Sequence, residues 1–205
     1  MSDPNGLSRR HFLKGVGAGA IVAGSIEALS AEARAAAQAA NPCAGPGAVP
    51  IKLSINGSVR ELAVEPRTTL LDALRNHLEL TGSKKVCDRA TCGACTVLID
   101  GKAAYSCTTL AIAAQGRTIE TVESLANGAE LAPIQKAFVE HDAQQCGFCT
   151  PGFVVASEAL LRTNASPDRA AVLEGLGGNL CRCGTYVGLK KACMSAGAPA
   201  KGGRR

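Results

Sequence analysis

The sequence predicts an α+β protein, with a small sheet over residues 51–123 and four short helices over residues 124–196. In the first half, apolar residues alternate with polar ones, as they do in half-buried strands, whereas after Ser124 they recur at helical spacing. The 205 residues are 46% hydrophobic but include only four Phe, two Tyr and no Trp. This length suits one or two small domains, whose cores must consist mainly of aliphatic side chains.

Residues 1–40 are predicted to be a twin-arginine signal peptide. Residues 8–14 read S-R-R-H-F-L-K, the mildly apolar residues 15–29 follow, and residues 31–40 offer several A-x-A cleavage sites. The apolar stretch is too short to span a bilayer, so we expect no transmembrane segment in the mature chain. The alternative is an Ala-rich amphipathic helix of the domain. A twin-arginine signal implies export in folded form to the periplasm, after cofactors have been inserted in the cytoplasm.

The first ordered half follows a linker predicted at residues 41–50, which contain three prolines and two glycines. An Asn-Gly pair at 56–57 separates two alternating runs, 51–55 and 59–64, and predicts a β-hairpin. Residues 69–72 form a capping-box pattern that opens a helix to about Leu78. Further short strands are predicted at 96–99, which an Asp-Gly turn follows, and at 118–122.

The second half is predicted to contain four helices, over residues 131–142, 152–162, 168–174 and 187–196. Thr150 and Ser166 are each followed by proline, which is the pattern of an N-cap with proline at the first helical position. Residues 197–205 read as a flexible basic tail.

Charge and motifs exclude several classes of function. The formal net charge is +5, but three of the positive charges lie in the last five residues, and no basic stripe is interleaved with aromatic residues. We therefore expect no nucleic-acid binding. The sequence also lacks a Gly-rich nucleotide loop, a zincin helix and a nucleophile elbow. The three histidines, His11, His77 and His141, are isolated and are not expected to be metal ligands.

One set of cysteines lies after the first predicted helix. Its spacing is C-x4-C-x2-C-x11-C, which is the plant-type ferredoxin spacing for a 2Fe–2S cluster. Gly93 lies between two of the ligands and allows the backbone to approach the cluster closely. A zinc site and disulfides are the alternatives, although structural zinc usually shows two short paired spacings. The predicted ligands of the first cluster are Cys87, Cys92, Cys95 and Cys107.

A second set of cysteines has the spacing C-x2-C and C-x1-C, with 31 residues between the pairs. Each pair precedes a predicted helix, whose free N-terminal amides and positive dipole end suit a bound anionic cluster. Taken alone this set is also compatible with zinc. The predicted ligands of the second 2Fe–2S cluster are Cys146, Cys149, Cys181 and Cys183.

Three motifs together resemble a known family. They are C-D-R-A-T-C-G-A-C-T-V at 87–97, Q-C-G-F-C-T-P-G at 145–152 and N-L-C-R-C-G at 179–184. Residues 51–196 are similar to the iron–sulfur small subunit of the xanthine oxidase (molybdenum hydroxylase) family, and with the signal the chain looks closest in type to exported aldehyde oxidoreductases. The resemblance implies a β-grasp plant-type ferredoxin domain followed by a four-helix-bundle 2Fe–2S domain.

The resemblance also implies a function and partners. The chain would be an electron-transfer subunit without catalytic residues of its own, carrying electrons from a large molybdopterin-binding subunit through two 2Fe–2S clusters. The acceptor would be an FAD-binding subunit or a cytochrome c subunit that carries haem. Gln145 would hydrogen-bond the molybdopterin, with Cys149 beside it; otherwise Gln145 is an ordinary loop-capping amide. The alternatives are the small subunit of an N-heterocycle hydroxylase or of a carbon monoxide dehydrogenase-type enzyme, and a free-standing ferredoxin-like carrier.

Two departures from the family pattern and two further cysteines remain. The family usually carries glycine where this chain has Val86 and Ala90, so we expect these two residues to resist a positive φ that the loop requires. Cys193 is expected to be a small buried group on the last helix. A disulfide between Cys43 and Cys193 is the alternative in an oxidising periplasm.

Overall fold

A five-stranded mixed sheet forms the first half of the chain. The computed structural model describes residues 45–197, so the predicted signal, Cys43 and residues 198–205 lie outside the described residues. The strands follow the order β2-β1-β5-β3-β4, in which β1 and β5 run parallel and the other neighbours run antiparallel. They are β1 (Val49–Ile55), β2 (Ser58–Val64), β3 (Thr96–Ile99), β4 (Lys102–Tyr105) and β5 (Thr118–Glu120).

The hairpin between β1 and β2 turns where the sequence predicts. Asn56 and Gly57 both have positive φ, as a two-residue hairpin turn requires. The predicted linker, however, extends too far, because Val49 already pairs with Val64, and Pro50 with Ala63. Pro50 is tolerated in β1 because the parallel partner β5 reaches only the far end of the strand, so no ladder bond needs the missing N–H.

A short helix crosses the sheet and closes its core. Helix α1 (Leu70–Asp72) continues as a π-helical turn over Ala73–His77, and its predicted cap is present because Thr69 Oγ1 accepts from the Asp72 amide at 3.1 Å. A 3₁₀ turn at Ala111–Ala114, which the sequence does not signal, covers the same core. The core side chains are aliphatic and include Leu53, Leu70, Leu74, Val97 and Ile119.

The predicted last strand of the sheet ends early. β5 stops at Glu120, and Val122–Ser124 turns into a 3₁₀ helix instead of continuing the strand. Directly after β5 the backbone bonds to a side chain instead of to a neighbouring strand, since the Thr121 amide donates to Asn56 Oδ1 at 2.9 Å.

Four helices form the second half, as predicted. They are α2 (Pro133–Glu140), α3 (Thr150–Thr163), α4 (Arg169–Gly175) and α5 (Tyr186–Gly197). Their inward faces share one core that includes Ile134, Phe138, Phe153, Val172 and Leu189. Cys193 is fully buried in it, as expected of a small apolar group, while the alternative pairing with Cys43 reaches outside the described residues.

Two predicted helix starts are shifted. Cys149, not Thr150, is the N-cap of α3, because the Phe153 amide already bonds to the Cys149 carbonyl at 3.2 Å. At α4 the N-cap is Asp168 rather than Ser166, because the Asp168 carboxylate accepts from the Ala171 amide at 2.8 Å. The Ser166 hydroxyl instead donates to the Gly197 carbonyl.

The two halves belong to one compact unit, in which α3 packs against β3 and β4. Arg162 on α3 ties them at the surface, since its guanidinium donates to both carboxylate oxygens of Glu120 on β5 at 2.7 and 2.8 Å. None of the helices within residues 45–197 is long and apolar enough to cross a membrane.

Candidate functional site

The first set of cysteines is gathered by the loop between α1 and β3 and by the end of β4. Cys95 and Cys107 are buried and pack against Leu71 and Tyr105, while Cys87 and Cys92 are half-buried. The two inner sulfurs therefore lie next to strand ends, Cys95 just before β3 and Cys107 just after β4, and the loop carries the two outer ones.

The loop presents its own amides to these sulfurs. The Ala90 amide donates to Cys107 Sγ and the Thr91 amide to Cys87 Sγ, both at 3.3 Å. Ala90 adopts the left-handed conformation with φ 55° despite its Cβ, so the loop does require a positive φ there. The same expectation is wrong for Val86, which does not have a positive φ. Such N–H···S bonds stabilise thiolate charge and tune the potential of an iron–sulfur cluster.

The pKa values at this site separate the outer from the inner sulfurs. Backbone amides, first that of Arg89, lower the pKa of the Cys87 thiol to about 6, while burial raises the pKa of Cys95 to about 11. The thiols also shift one another's pKa: besides the backbone amides the Cys92 thiol lowers the pKa of Cys87, and besides burial the Cys107 thiol raises the pKa of Cys95.

The second set of cysteines lies at two helix starts, as predicted. Cys149 caps α3, with Cys146 three residues before it, and Cys181 and Cys183 directly precede α5. Cys181 is buried, Cys149 is half-buried, and Cys146 and Cys183 are exposed. This site is therefore open to the surface on one side.

Two residues at the start of α5 hold Cys181. The Cys181 amide donates to Tyr186 Oη at 2.8 Å, and Cys181 Sγ lies 3.1 Å from Thr185 Oγ1. Burial opposes ionisation of Cys181, but the Thr185 hydroxyl and amide outweigh it and lower the pKa of this thiol to about 7. Burial raises the pKa of Cys149 to about 12.

In the second set, the Phe148 amide and then the Cys183 thiol lower the pKa of Cys146, and after burial the Cys181 thiol raises the pKa of Cys149. Across residues 45–197, no group of three or more His, Cys, Asp and Glu side chains is placed to hold a single metal ion. A structural zinc site needs four ligands around one ion, whereas a 2Fe–2S cluster takes two thiolates on each of two irons. The eight cysteines, four at each site, stay the predicted ligands of two 2Fe–2S clusters.

The remaining predicted residue, Gln145, is exposed next to Cys146. Phe148 and Leu180, which precede Cys149 and Cys181 in the chain, are each 52% exposed. The position is compatible with a contact to a partner, and the role of Gln145 in binding molybdopterin stays a prediction.

Sequence reasoning missed the residues that join the two sites. Asn179 is 5% exposed and its Nδ2 donates to the Gly93 carbonyl at 2.9 Å, although the two residues are far apart in the chain. Tyr105 donates to the Gly178 carbonyl at 3.1 Å. The sequence offered one signal, the polar residue Asn179 placed two residues before the predicted ligand Cys181. Only the fold shows that Gly93 is its hydrogen-bond partner.

Two family models match the chain in order. One, described as a 2Fe-2S iron-sulfur cluster binding domain, matches residues 53–126, and the other, described as a 2Fe-2S binding domain, matches residues 121–194. Together they contain all eight predicted ligands.

Relatives and solved structures agree with these models. The chain is 50% identical over 148 residues to the nicotine 6-hydroxylase small subunit of Paenarthrobacter nicotinovorans, covering 72% of this chain and 89% of that one. It is 40% identical to the aldehyde oxidoreductase iron-sulfur-binding subunit PaoA of Escherichia coli O157:H7, covering 95% and 90%. A chain of quinoline 2-oxidoreductase from Pseudomonas putida 86 superposes with a TM-score of 0.72 at 44% identity, covering 74% and 94%. This chain belongs to the 2Fe–2S iron–sulfur small subunits of the xanthine oxidase (molybdenum hydroxylase) family.

Proposed function

We propose that this chain is the electron-transfer subunit of a periplasmic molybdenum-dependent aldehyde oxidoreductase. The observation that carries the proposal is the unequal exposure of the two cysteine sites. The second site has two exposed cysteines beside the exposed apolar side chains Phe148 and Leu180. Exposed apolar surface around a cofactor site favours a partner protein as its cover. We assign that place to the large molybdopterin-binding subunit, with Gln145 and Cys149 facing the pterin.

The direction of electron flow follows from this placement. When bound, a 2Fe–2S cluster accepts and releases one electron at a time. Electrons that arrive in pairs at a molybdenum partner would enter at the second site, cross to the first, and leave near Cys87 and Cys92. The acceptor would be an FAD-binding subunit or a cytochrome c subunit. The chain holds its cysteines in place and supplies the path between them.

The aldehyde assignment rests on how far the similarity extends. Residues 45–205 make up less than four fifths of the chain, yet PaoA of strain O157:H7 aligns with 95% of it and PaoA of strain K12 with 82%. The similarity to these aldehyde oxidoreductase subunits therefore extends into residues 1–44, where the twin-arginine pattern lies. The nicotine 6-hydroxylase small subunit aligns with 72%.

A second candidate is an N-heterocycle hydroxylase. It is favoured by the higher identity, 50%, to the nicotine 6-hydroxylase small subunit and by the similarity to quinoline 2-oxidoreductase. The predicted signal argues for the aldehyde enzyme, while the identity within the folded part argues for the heterocycle enzyme.

Purification of the native assembly with its metals tests the proposal. A tagged chain should elute with a large subunit that contains molybdenum and with four irons per small chain, whereas a free carrier would elute alone. In the purified complex, aldehydes should reduce the iron–sulfur centres and N-heterocycles should not. Reduction by N-heterocycles alone would establish the second candidate, and a chain that elutes alone with its clusters would contradict both.

Export is tested separately. Replacing Arg9 and Arg10 by Lys should leave the assembled complex in the cytoplasm with its clusters intact, because the twin-arginine pair is what the pathway reads. Replacing Lys14 by Arg is the control and should keep the complex periplasmic. Unchanged export of the Lys pair variant would contradict the periplasmic assignment.

A further inference from the structure

The second cysteine site has a side-chain hydroxyl beside one of its sulfurs. Thr185 Oγ1 lies 3.1 Å from Cys181 Sγ, and Cys181 is buried. Either atom could be the donor when the cysteine is a thiol, but a thiolate bound to iron has no proton left to donate. With a cluster in place, the Thr185 hydroxyl is therefore the donor and the Cys181 sulfur is the acceptor.

The place of Thr185 at a helix start makes this bond unusual. Its carbonyl accepts from the Leu189 amide at 3.0 Å, so Thr185 is the N-cap of α5. A threonine at an N-cap ordinarily turns its hydroxyl to accept from an amide of the first helical turn. Within residues 45–197 no helix amide donates to this hydroxyl, which bonds to Cys181 instead. The Thr185 side chain thus serves the sulfur rather than the helix.

Two neighbouring features hold the sulfur within reach of this hydroxyl. Gly184 has a φ of 81°, a left-handed conformation that turns the chain back just before Thr185. The Cys181 amide donates to Tyr186 Oη at 2.8 Å, and the Tyr186 ring packs edge-on against Phe153 with the ring centroids 6.3 Å apart. Phe153 belongs to the core of the helical half. Cys181 is consequently anchored at its backbone as well as at its sulfur.

The first site obtains its bonds to sulfur in another way. Its donors are the backbone amides of Ala90 and Thr91, which remain whatever side chain is present. At Cys181 the donor is a side chain, so a single substitution removes it. A reduced cluster carries one more negative charge than an oxidised one, and hydrogen bonds to its sulfurs are among the factors that set its potential. A donor at Cys181 Sγ therefore favours the reduced form.

We propose that Thr185 sets the reduction potential of the second cluster, by donating a hydrogen bond to Cys181 Sγ that stabilises the reduced form. The inference rests on the proposed function, since it requires a cluster at this site. No proton is transferred, because the hydroxyl keeps its hydrogen in both oxidation states while one electron enters or leaves the cluster. In the proposed order of transfer, a higher potential makes the second cluster a better acceptor of electrons from the molybdenum partner.

Thr185→Val in the assembled complex tests the inference, because it removes the hydroxyl and keeps the shape of the side chain. In a redox titration followed by electron paramagnetic resonance, we expect the potential of the second cluster to fall and that of the first to stay. At the wild-type midpoint, the ratio of reduced to oxidised second cluster should drop about three- to tenfold, where tenfold corresponds to about 59 mV for one electron. Thr185→Ser keeps the donor and should restore most of the potential.

Thr163→Val is the matched control. Thr163 is the last residue of α3, roughly 20 Å along this helix from the end that carries Cys149. Its hydroxyl donates to the Leu160 carbonyl at 2.9 Å. Both potentials should therefore keep their wild-type values. An equal fall in this control would assign the shift to a general loosening of the helical half and would overturn the inference.

A measurement on the wild-type complex keeps the inference testable if Thr185→Val fails to assemble. A hydroxyl exchanges its proton with D₂O faster than protected backbone amides do. The electron–nuclear double resonance spectrum of the reduced second cluster should therefore lose a coupled proton signal after brief transfer to D₂O, in the wild type and in Thr185→Ser. If no coupled proton is lost, the hydroxyl does not donate to the cluster sulfur and the inference is overturned.

The outcomes for the inference and for the proposed function differ. A lower potential of the second cluster in Thr185→Val, reversed in Thr185→Ser, supports the inference. An unchanged potential in a variant that retains all its iron overturns it, and so does a fall that Thr185→Ser does not reverse. Failure of the proposed function appears instead as a wild-type complex that lacks the second cluster or that aldehydes do not reduce.

Discussion

The two cysteine sites are built on opposite plans. The first is enclosed by its own loop, with two buried cysteines beside the ends of β3 and β4 and amides of Ala90 and Thr91 directed at the sulfurs. The second is assembled from two distant helix starts, and Cys146 and Cys183 are exposed. One loop therefore provides most of the first site, whereas the second depends on correct packing of the helices and, in our proposal, on a partner that covers it.

This difference suggests a division of labour. A site enclosed by its own amides keeps its environment when the acceptor binds and leaves. An open site changes its exposure when a partner covers it, and exposure is one of the factors that set the potential of an iron–sulfur cluster.

The largest effect is expected from removing one ligand at the enclosed site. Cys92→Ser should lower the iron content from four to two per chain, preserve reduction of the second cluster by substrate and abolish transfer to the external acceptor. Iron analysis and electron paramagnetic resonance after rapid mixing measure these effects. Cys193→Ala, which lies in the helical core, is the control and should retain four irons. Loss of substrate reduction at the second cluster in folded Cys92→Ser would reverse the proposed order.

A smaller effect is expected from separating the two sites sterically. Gly152→Ala places a methyl group against the Gly93 carbonyl, and overpacking of this kind costs about 1–3 kcal/mol. The gain in helix propensity of about 0.5–1 kcal/mol offsets part of this cost. Thermal unfolding followed by visible absorbance should show a lower Tm, whereas Gly47→Ala, in open space, should leave it unchanged. An unchanged Tm in Gly152→Ala would mean that the junction is loosely packed.

The ion pair at the surface between the halves should contribute about 1 kcal/mol or less, because both partners are partly exposed. Arg162 holds the pKa of Glu120 below its ordinary value near 4.5. The stabilisation by this ion pair is therefore fully present above pH 4.5. It is lost as the pH falls through the lower pKa that Glu120 has in the folded state. Arg162→Gln should lower stability at pH 7 and flatten its decline below pH 5, as measured by denaturant unfolding.

The fully exposed pair between Lys52 and Glu61 is the control for Arg162. Lys52→Ala should leave the stability nearly unchanged, because solvent screens a pair that is fully exposed. Equal losses in the two variants would show that the pair between Arg162 and Glu120 adds nothing to the contact between the halves.

The smallest effect is expected at the strained loop residue. A left-handed backbone conformation costs a non-glycine residue about 1–2 kcal/mol of stability. Glycine avoids this cost, but its greater freedom in the unfolded chain lowers the stability of the folded state by about 0.4–1 kcal/mol. Ala90→Gly should therefore stabilise the protein by roughly 0.5–1 kcal/mol, measured as a higher Tm. Val86→Gly is the matched control at the other departure from the family pattern. It should not stabilise, because the backbone there is not left-handed.

Local patterns predicted much of this molecule. The Asn56–Gly57 turn, the Thr69 cap and the four helices follow from side-chain chemistry within a few residues, and the structure confirms them. The predicted N-caps of α3 and α4 were wrong by one and two residues. Competing caps lie next to each other there, and their energies differ by less than such rules resolve.

The sequence by itself determined the short groupings of the cysteines, because ligand spacing along one loop or before one helix is a local property. The contact between Leu180 and Cys92 and the clasp of Asn179 on Gly93 were decided only by the tertiary structure. They join positions more than 80 residues apart, and they form only because glycines let two backbones meet when the helical half packs on the sheet. No pattern of spacing or hydrophobicity encodes that distance, since it depends on how two finished surfaces fit.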